Sequence, residues 1–578
     1  MQMEAGQMIE GARIAYFSME IALESDITTY SGGLGVLAGD TLRSFADLTA
    51  PVVAVTLVHR KGYFSQRLGR HGSQRALDDR WDPALRLEEL DARVRVAIEG
   101  HEVEIGAWRY RIAGEGGAVD VVLLDSDRRA NRAADRRITD HLYGGDERCR
   151  LRQEAVLGIG GLRMLRALGC DRLEHLHLNE GHAALAALEA LAQRDAAPPR
   201  SAAARTRRFA GLRPRCVFTT HTPVPAGHDR FPAALARRVL GDGPMRWLRA
   251  LGLSRGLDMT KLALAASGYV NAVALRHAEV SRRMFPGARV DAITNGVHAP
   301  TWVTPPFAKL FDRHVPAWRA DPLALRQAVG IPLAEVGRAH RRAQRELLER
   351  LHARGHTQFS RAAFTIGFAR RATAYKRATL LFRDEDRLAA LARAQGPLQV
   401  VLAGKAHPRD REGRAAIRTL FRARDRLRGR VAVAYLEGYD MELARAMCGG
   451  VDLWLNTPVP PLEASGTSGM KAALNGVPSL SILDGWWVEG CVAGVTGWPI
   501  GHDEGPTAPR RGRDARDAAA LYDALEQQVL PCYRAGGDAY CGVMRSAIAL
   551  NGAYFNTTRM ALEYLQRAYR LPPGHLIG

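Results

Sequence analysis

Glu463-Ala464-Ser465-Gly466-Thr467-Ser468-Gly469-Met470-Lys471, followed by Ala-Ala-Leu-Asn-Gly, is the stretch from which this chain is best read. Its small, hydroxylated and glycine residues let the backbone turn tightly and aim amides at a ligand. Met470 onward reads as a helix start, where an anion sits well. Lys471 stands just inside that helix, placed to meet the carbonyl of a cofactor whose phosphate the loop holds, which is a Schiff-base geometry. A solvated turn with a lysine in its first helical residues is the plainer alternative. The lysine census bears on the choice. Of 81 basic residues only six are lysine: Lys61, Lys261, Lys309, Lys376, Lys405 and Lys471. Arginine serves surface charge equally well but cannot form an imine, so a lysine kept in a glycine-rich loop carries weight.

Around this loop the pattern is βα. Strands are predicted at 364–369, 398–403, 431–436, 451–455 and 479–483, beyond a charged helix at 334–354. Polar clusters follow their ends: Arg370-Arg371-Ala-Thr-Ala-Tyr375-Lys376-Arg377 after the first, Gly404-Lys405-Ala406 after the second, Glu437-Gly-Tyr439 after the third and the 463–471 loop after the fourth. Lys376, Lys405 and Lys471 therefore lie at strand carboxyl ends of one sheet, where open α/β sheets bind ligands.

The first half repeats the theme. A strand at 13–19 precedes Ser31-Gly32-Gly33-Leu34-Gly35-Val36-Leu37-Ala38-Gly39, which opens a helix at 36–46. Glycines 32, 33, 35 and 39 do not fit G-x-G-x-x-G, so a nicotinamide cofactor is not supported; backbone approach to an anion, or a packing turn, is. Strands at 52–58 and 119–124 and a helix at 151–167 continue an α/β alternation. His175-Leu-His-Leu-Asn-Glu180-Gly-His182 gathers histidines, an amide and a carboxylate at a strand end. Neither zinc spacing nor H-E-x-x-H is present, so no metal is expected, and such residues suit a hydroxyl-rich ligand. Cys216-Val-Phe-Thr-Thr-His221-Thr-Pro-Val-Pro-Ala-Gly-His228 and Ile293-Thr-Asn295-Gly-Val-His-Ala-Pro-Thr-Trp302 end in the same way, and these loops should meet at one cleft edge. Prolines beyond Trp302 mark a boundary near 300–320. The expected division is 1–310, 311–550 and a C-terminal helix and tail at 551–578. That helix, at 556–570, is capped by Asn556 or Thr557 and packs back across the junction.

Bulk properties narrow the class. At 578 residues the chain exceeds one core. The formal charge of +20 is arginine spread along the whole length, without a basic helix interleaved with aromatics, so nucleic acid is not indicated. The densest basic run, 200–215, reads as a solvated loop. A basic surface would concentrate anionic substrates such as phosphate. Seven cysteines without a C-x-x-C pair indicate a reducing compartment. The N-terminal Met-Gln-Met-Glu-Ala-Gly has no export-signal character and no apolar run reaches membrane-spanning length, which together read as cytoplasmic.

Taken in order, Ser31-Gly-Gly-Leu-Gly35, Thr220-His-Thr222, Thr294-Asn-Gly-Val297, Tyr375-Lys-Arg377, Gly404-Lys-Ala406 and Glu463-Ala-Ser-Gly-Thr-x-x-Met-Lys471 resemble the α-glucan phosphorylases, the glycogen, starch and maltodextrin phosphorylase family, from about residue 13 to about 569. The compact bacterial and archaeal branch is the nearer likeness. Ser468-Gly469 stands for the usual Gly-Asn, and Thr373-Ala374 for a His-Glu pair. The resemblance implies an α/β chain of two Rossmann-like domains facing a cleft, the glycosyltransferase-B arrangement, and pyridoxal phosphate carried on Lys471. It places Gly32, Gly33, Arg371 and Lys376 on substrate phosphate, and Arg370, Thr467 and Ser468 around the cofactor phosphate. Tyr439 and Trp302 would line the cofactor pocket, Glu463 and Asn295 would contact the transferred glucose, His221 would lie beside the reacting sugar, and Glu180 and His182 would face the acceptor. The implied partners are α-glucan or maltodextrin, inorganic phosphate and glucose 1-phosphate, with a homo-oligomer allowed. The implied reaction is reversible phosphorolysis of terminal α-1,4-linked glucose, with phosphate acting as acid and nucleophile in place of the usual two carboxylic acids. A nucleotide-sugar glucosyltransferase such as a glycogen synthase would share the architecture without needing Lys471. A non-catalytic glycan binder could use Trp486-Trp487 as a platform.

Overall fold

The computed structural model describes residues 8–194, 198–224, 227–253, 255–503, 505 and 511–571. The N-terminal stretch read for an export signal, residues 1–6, lies outside them. Two sheets organise the chain, one of nine strands and one of six. The larger runs, edge to edge, Asp291–Ala292, Tyr269–Ala272, Cys216–Thr219, His175–Asn179, Ile14–Phe17, Val52–Leu57, Ala118–Asp125, His101–Ala113 and Glu88–Ile98. It is parallel as far as Ala118–Asp125 and antiparallel beyond. The last two strands form a hairpin turned at Glu99 and Gly100, both with positive φ, which matches the twist of the flanking strands.

Alternation along the strands divides the first core. Ala15, Phe17, Val53, Val55, Leu176 and Leu178 face one side, and Ile14, Tyr16, Val52, Ala54 and Val217 the other. Strands apolar on both faces must be covered on both, which is why they read as unbroken hydrophobic runs. Helix Gly33–Asp47 covers the second face together with the returning C-terminal segment, Thr557–Glu563 and Tyr564–Ala568. Asn556 caps that segment by accepting the Arg559 amide at 2.8 Å. Ala561, Leu565, Ala568 and Tyr569 are buried. The Ser44 and Thr557 hydroxyls meet at 2.7 Å, Asn271 Nδ2 donates to Tyr564 OH at 2.9 Å, and Tyr569 OH lies 2.5 Å from His177 Nδ1.

The six-stranded sheet is parallel throughout, in the order Ala432–Leu436, Leu398–Ala403, Phe364–Ala369, Leu453–Asn456, Ser479–Ile482, Gly497–Ile500. Strand order reverses between Phe364–Ala369 and Leu453–Asn456, and a crevice opens beyond the carboxyl ends at such a reversal. The loops carrying Arg370 to Arg377 and Glu463 to Lys471 leave from these two strands.

Two sequence readings are corrected. The run 200–215 is helical at Ala202–Leu212, with Ser201 as its cap, so its arginines decorate a helix. Lys405 does not serve the crevice. A hairpin from the first half, Ser65–Leu68 and Gln74–Leu77, lies over the ends of Leu398–Ala403 and Ala432–Leu436. Gln66 donates to Gly404 O at 2.9 Å, Gln74 to Ala406 O at 2.7 Å and Lys405 Nζ to Phe64 O at 3.1 Å, while Glu437 accepts the Leu68 amide at 2.9 Å. Lys405 and Glu437 thus join the halves of the chain.

Candidate active site

Gly466, with φ 90°, turns the loop into helix Thr467–Leu474, whose first turn has no side-chain cap and leaves amides open. Lys471 is buried and its Nζ lies 3.6 Å from the Trp302 ring centroid, a cation–π contact with no hydrogen bond or ion pair to that amine among the described residues. Trp302 Nε1 donates to Asp40 at 2.7 Å. Burial lowers the Lys471 pKa, with Asp40 and Cys448 pulling the other way. A lowered pKa leaves more of the amine unprotonated near neutral pH, and the free amine is the form that attacks an aldehyde. Nearby, Arg370 Nη1 and Ser465 Oγ are buried without partners, and Tyr439, its phenol pushed well up by burial, lies within electrostatic reach of Arg370. Open helix amides, a partnerless guanidinium nitrogen and a partnerless amine fit an aldehyde bearing a phosphate. Thr467 is half-buried at the helix start, and Ser468 Oγ accepts the Trp454 indole N–H at 3.1 Å. A Cβ on Gly469 would lie 2.7 Å from Trp486 Cζ2, so an asparagine does not fit here: the Ser468-Gly469 departure is matched to Trp454 and Trp486.

The cations beyond Phe364–Ala369 fall into two kinds. Arg370 Nη2 bonds Glu463 Oε2 at 2.5 Å, and Lys376 Nζ bonds the two carboxylate oxygens at 2.7 and 2.5 Å. Burial alone would raise the Glu463 carboxyl, but Arg370 and Lys376 override it and hold it at about 2. The Glu463 amide donates to Asp484 at 2.9 Å. Burial, with the Glu463 charge adding to it, lifts Asp484 to about 7. Arg371 is different. Its side chain is exposed and engages no hydrogen bond or ion pair among the described residues, while Tyr375 and, from the first half, Tyr63, Glu20 and Tyr143 lie within electrostatic reach.

Gly32 and Gly33 stand at the start of helix Gly33–Asp47. Glu20 Oε2 accepts the Ser31 amide at 2.6 Å and the Gly32 amide at 3.3 Å, and Tyr143 OH donates to Oε1 at 2.8 Å. The protein itself therefore binds the Gly32 amide. A Cβ on Gly32 or Gly33 meets nothing within 4 Å, whereas one on Gly35 would meet Glu20 Oε2 at 2.7 Å and one on Gly39 would meet Ala22 O at 2.0 Å. Packing requires the last two glycines. At the first two the room is left open.

On the first sheet, Glu180 has φ 74° and organises its own loop, accepting amides from Gly181 at 3.0 Å and His221 at 2.8 Å and the Thr222 hydroxyl at 2.9 Å. His221 Nε2 lies 2.7 Å from Asn179 Oδ1. His182 is buried with Nε2 3.6 Å from Asp229 and Nδ1 partnerless. Asn295 is buried with a partnerless Oδ1, its carbonyl accepting from Arg559 at 3.1 Å. The arrangement thus brings Glu463, Lys376 and Arg370 together, gives Glu180 to its loop and, among the described residues, leaves Arg371 and Lys471 without ion pairs.

Burial holds His177, His182 and His221 at about 3 and His59 and His277 at about 4, against an ordinary 6.5. Between those values and 6.5 the unfolded chain binds protons that the folded chain refuses, so stability falls as pH falls. Each fully buried histidine should cost about 2 kcal/mol by pH 5. Denaturant midpoints should be level above pH 7 and decline from 6.5 towards 4; a midpoint constant down to pH 5 would show that these rings titrate normally.

Sequence reasoning missed Glu20, Asp484 and Asp40. The first two follow the strands Ile14–Phe17 and Ser479–Ile482, so the rule applied at the other strand ends would have found them. Asp40 lies within a helix and carried no such signal. Trp486 and Trp487 are buried, with centroids 5.1 Å apart, and offer no sugar platform. Among the described residues no group of three or more His, Cys, Asp or Glu could hold a metal, and no helix is long and apolar enough to cross a membrane.

Residues 216–493 match the carbohydrate phosphorylase family model. The maltodextrin phosphorylase of Thermococcus litoralis is 37% identical over 96% of this chain and 70% of its own length. The glycogen phosphorylase of Mycobacterium tuberculosis is 38% identical over the same shares. An uncharacterised protein of Methanocaldococcus jannaschii, 30% identical, matches 96% of this chain and 99% of its own length. With these identities spread over nearly the whole sequence, the chain belongs to the carbohydrate phosphorylase family.

Proposed function

We propose that this chain catalyses reversible phosphorolysis of terminal α-1,4-linked glucose units, releasing α-glucose 1-phosphate with retention, with pyridoxal phosphate carried on Lys471, in the cytoplasm. The observation that supports the reading is the contrast between Lys471 and Arg371, which lack ion pairs among the described residues, and the other strand-end cations, which are engaged. Residues 1–310 and 311–550 are read as two Rossmann-like lobes facing a cleft, glycosyltransferase-B fashion, with 551–578 as a C-terminal segment whose helical part, Thr557–Glu563 and Tyr564–Ala568, returns to the first lobe.

Pyridoxal phosphate, when bound, supplies a phosphate able to give and take a proton. Arg370, Thr467, Ser468 and the open helix amides would hold that phosphate, beside Tyr439 and Trp302. Arg371 and the Gly33 amide would receive inorganic phosphate, with Lys376 adding charge from its station on Glu463. Two phosphates in proximity repel, so these cations must offset several negative charges. Glu463 and Asn295 would orient the glucosyl hydroxyls. Glu180, engaged by its loop, would set His221 beside the sugar, and His182 would lie behind it on the acceptor side. Burial keeps His221 neutral, so it would serve the sugar as a hydrogen-bonding group.

The purified chain, given maltodextrin and phosphate, should release glucose 1-phosphate and run backwards on glucose 1-phosphate. Elongation from a nucleotide sugar without phosphate turnover would assign it to the transferases. Borohydride reduction of the holoprotein should fix the pyridoxyl group on the peptide containing Lys471, and Lys471→Arg should fold without the near-ultraviolet cofactor band. A label on another lysine would overturn the assignment.

A further inference from the structure

The Tyr375-Lys376-Arg377 motif has so far contributed only Lys376. We propose that Arg377 is a positioning residue that fixes the distance between the two loops of the crevice, and so the placement of Lys376, Glu463 and Arg371. The inference rests on the reading of this crevice as the phosphate site.

The geometry starts from the strands. Phe364–Ala369 and Leu453–Asn456 pair only through Ile366 with Leu453 and Gly367 with Trp454, after which their chains part. Among the described residues the pairing of these two strands does not extend past Gly367 and Trp454, so it does not set how far apart the loops stand at the carboxyl ends, where the proposed site needs a defined gap. Arg377 sits at the end of the turn Ala374–Lys376 with φ 47° and ψ 49°, a left-handed conformation that is costly for a side chain of this size. The conformation turns its guanidinium away from the crevice and inward, where its side chain is 6% exposed.

There Nε donates to Thr457 O at 2.9 Å and Nη2 to Pro458 O at 2.7 Å, both on the loop leading to Glu463. Nη1 pairs with Asp514 at 2.9 Å and Nη2 with Asp517 at 2.7 Å, both on helix Arg513–Ala524. The other loop reciprocates. Thr457 Oγ1 donates to Lys376 O at 3.0 Å and to Arg377 O at 3.1 Å, and the Val459 amide donates to Tyr375 O at 2.8 Å. One planar fork thus spans two carbonyls of one loop from the backbone of the other, anchored on a third element by two carboxylates. Lysine carries the same charge but only a single nitrogen, and cannot span both carbonyls in this way.

Arg377 touches neither of the proposed phosphate sites. Its effect is on geometry: Lys376 precedes it in the chain, and Glu463 lies a few residues beyond Pro458. If the gap is loosened by an ångström, the cations no longer converge on one anion, and losses of this kind reach about a hundredfold without any contact to substrate.

The test uses the cofactor-loaded chain and the variants Arg377→Lys and Thr457→Val, the second keeping size while removing the hydroxyl whose one proton is shared between Lys376 O and Arg377 O. Arg377→Lys should raise the KM for phosphate about tenfold and lower kcat about ten- to hundredfold, leaving the KM for maltodextrin within about twofold and cofactor content unchanged. Thr457→Val should show the same split more weakly, and the double variant should fall short of the product of the two. Amide hydrogen exchange at 374–378 and 456–463 should accelerate in both variants. Folded variants with phosphate KM and kcat within twofold of the parent, or a lower active fraction at unchanged phosphate KM, would show Arg377 to be structural only. If the parent chain itself does not turn phosphate over, the function proposed above fails. Exchange then decides the inference by itself: unchanged exchange in both segments overturns the stitching, and acceleration upholds it.

Discussion

Arg371→Ala should lower kcat/KM for phosphate by about a hundredfold to ten-thousandfold while leaving fold and cofactor in place. The direction follows from what Arg371 lacks. Its guanidinium engages no hydrogen bond or ion pair among the described residues and the residue is exposed, although other groups crowd it closely enough for burial to act on its charge, so removing it breaks no bond within the protein. Two charge-assisted hydrogen bonds to a bound phosphate contribute about 1.5–3 kcal/mol each, and each 1.36 kcal/mol is a factor of ten in rate. Arg371→Lys should recover part of the loss, since charge survives and the fork does not. The measurement is initial-rate phosphorolysis across phosphate concentrations, with the cofactor absorbance read on the same sample. Near-parental kinetics in Arg371→Ala would make this arginine a solvated side chain and move the anion site elsewhere.

Glu463→Gln should cost both stability and activity. A carboxyl held at about 2 instead of its ordinary 4.5 contributes about 3 kcal/mol to folding at neutral pH. Because the folded value is the depressed one, that contribution is complete above pH 4.5 and fades as pH falls from 4.5 towards 2. The glutamine variant should therefore have a lower denaturant midpoint at pH 7 and a shallower acid limb between 4.5 and 2. Arg370 and Lys376 would then lie buried beside a neutral amide, with their mutual repulsion no longer offset. Lys376 would be free to leave its station, and phosphorolysis should fall by about two orders of magnitude. Parental stability at pH 7 with an unaltered acid limb would show that Glu463 is not the counter-charge of these two cations.

The strand ends were legible in the sequence because apolar runs of strand length, closed by glycine or charge, have few other readings. The runs at 364–369 and 398–403 coincide with the strands Phe364–Ala369 and Leu398–Ala403, and those at 431–436 and 451–455 lie within two residues of Ala432–Leu436 and Leu453–Asn456. The hairpin Ser65–Leu68 with Gln74–Leu77 was not legible. Its strands are short, polar and mostly exposed, so no hydrophobic period marks them. For the same reason Lys405 was grouped with Lys376 and Lys471: position in one sheet was visible, whereas the partner supplied by a hairpin more than three hundred residues earlier was not.

The sequence by itself determined the α/β alternation, the loops at strand carboxyl ends and the types of residue those loops carry, because these follow from local periodicity and from chemistry that no other residue supplies, such as the amine of Lys471. Only the tertiary structure decided which cations are engaged and which are not. Arg370, Arg371 and Lys376 are near neighbours of one chemical kind. What separates them is whether Glu463, some ninety residues away in the chain, lies 2.5 Å from the nitrogen or out of its reach. Ion pairing depends on distance and burial, and both are set by how the two diverging loops are held. Sequence spacing carries neither.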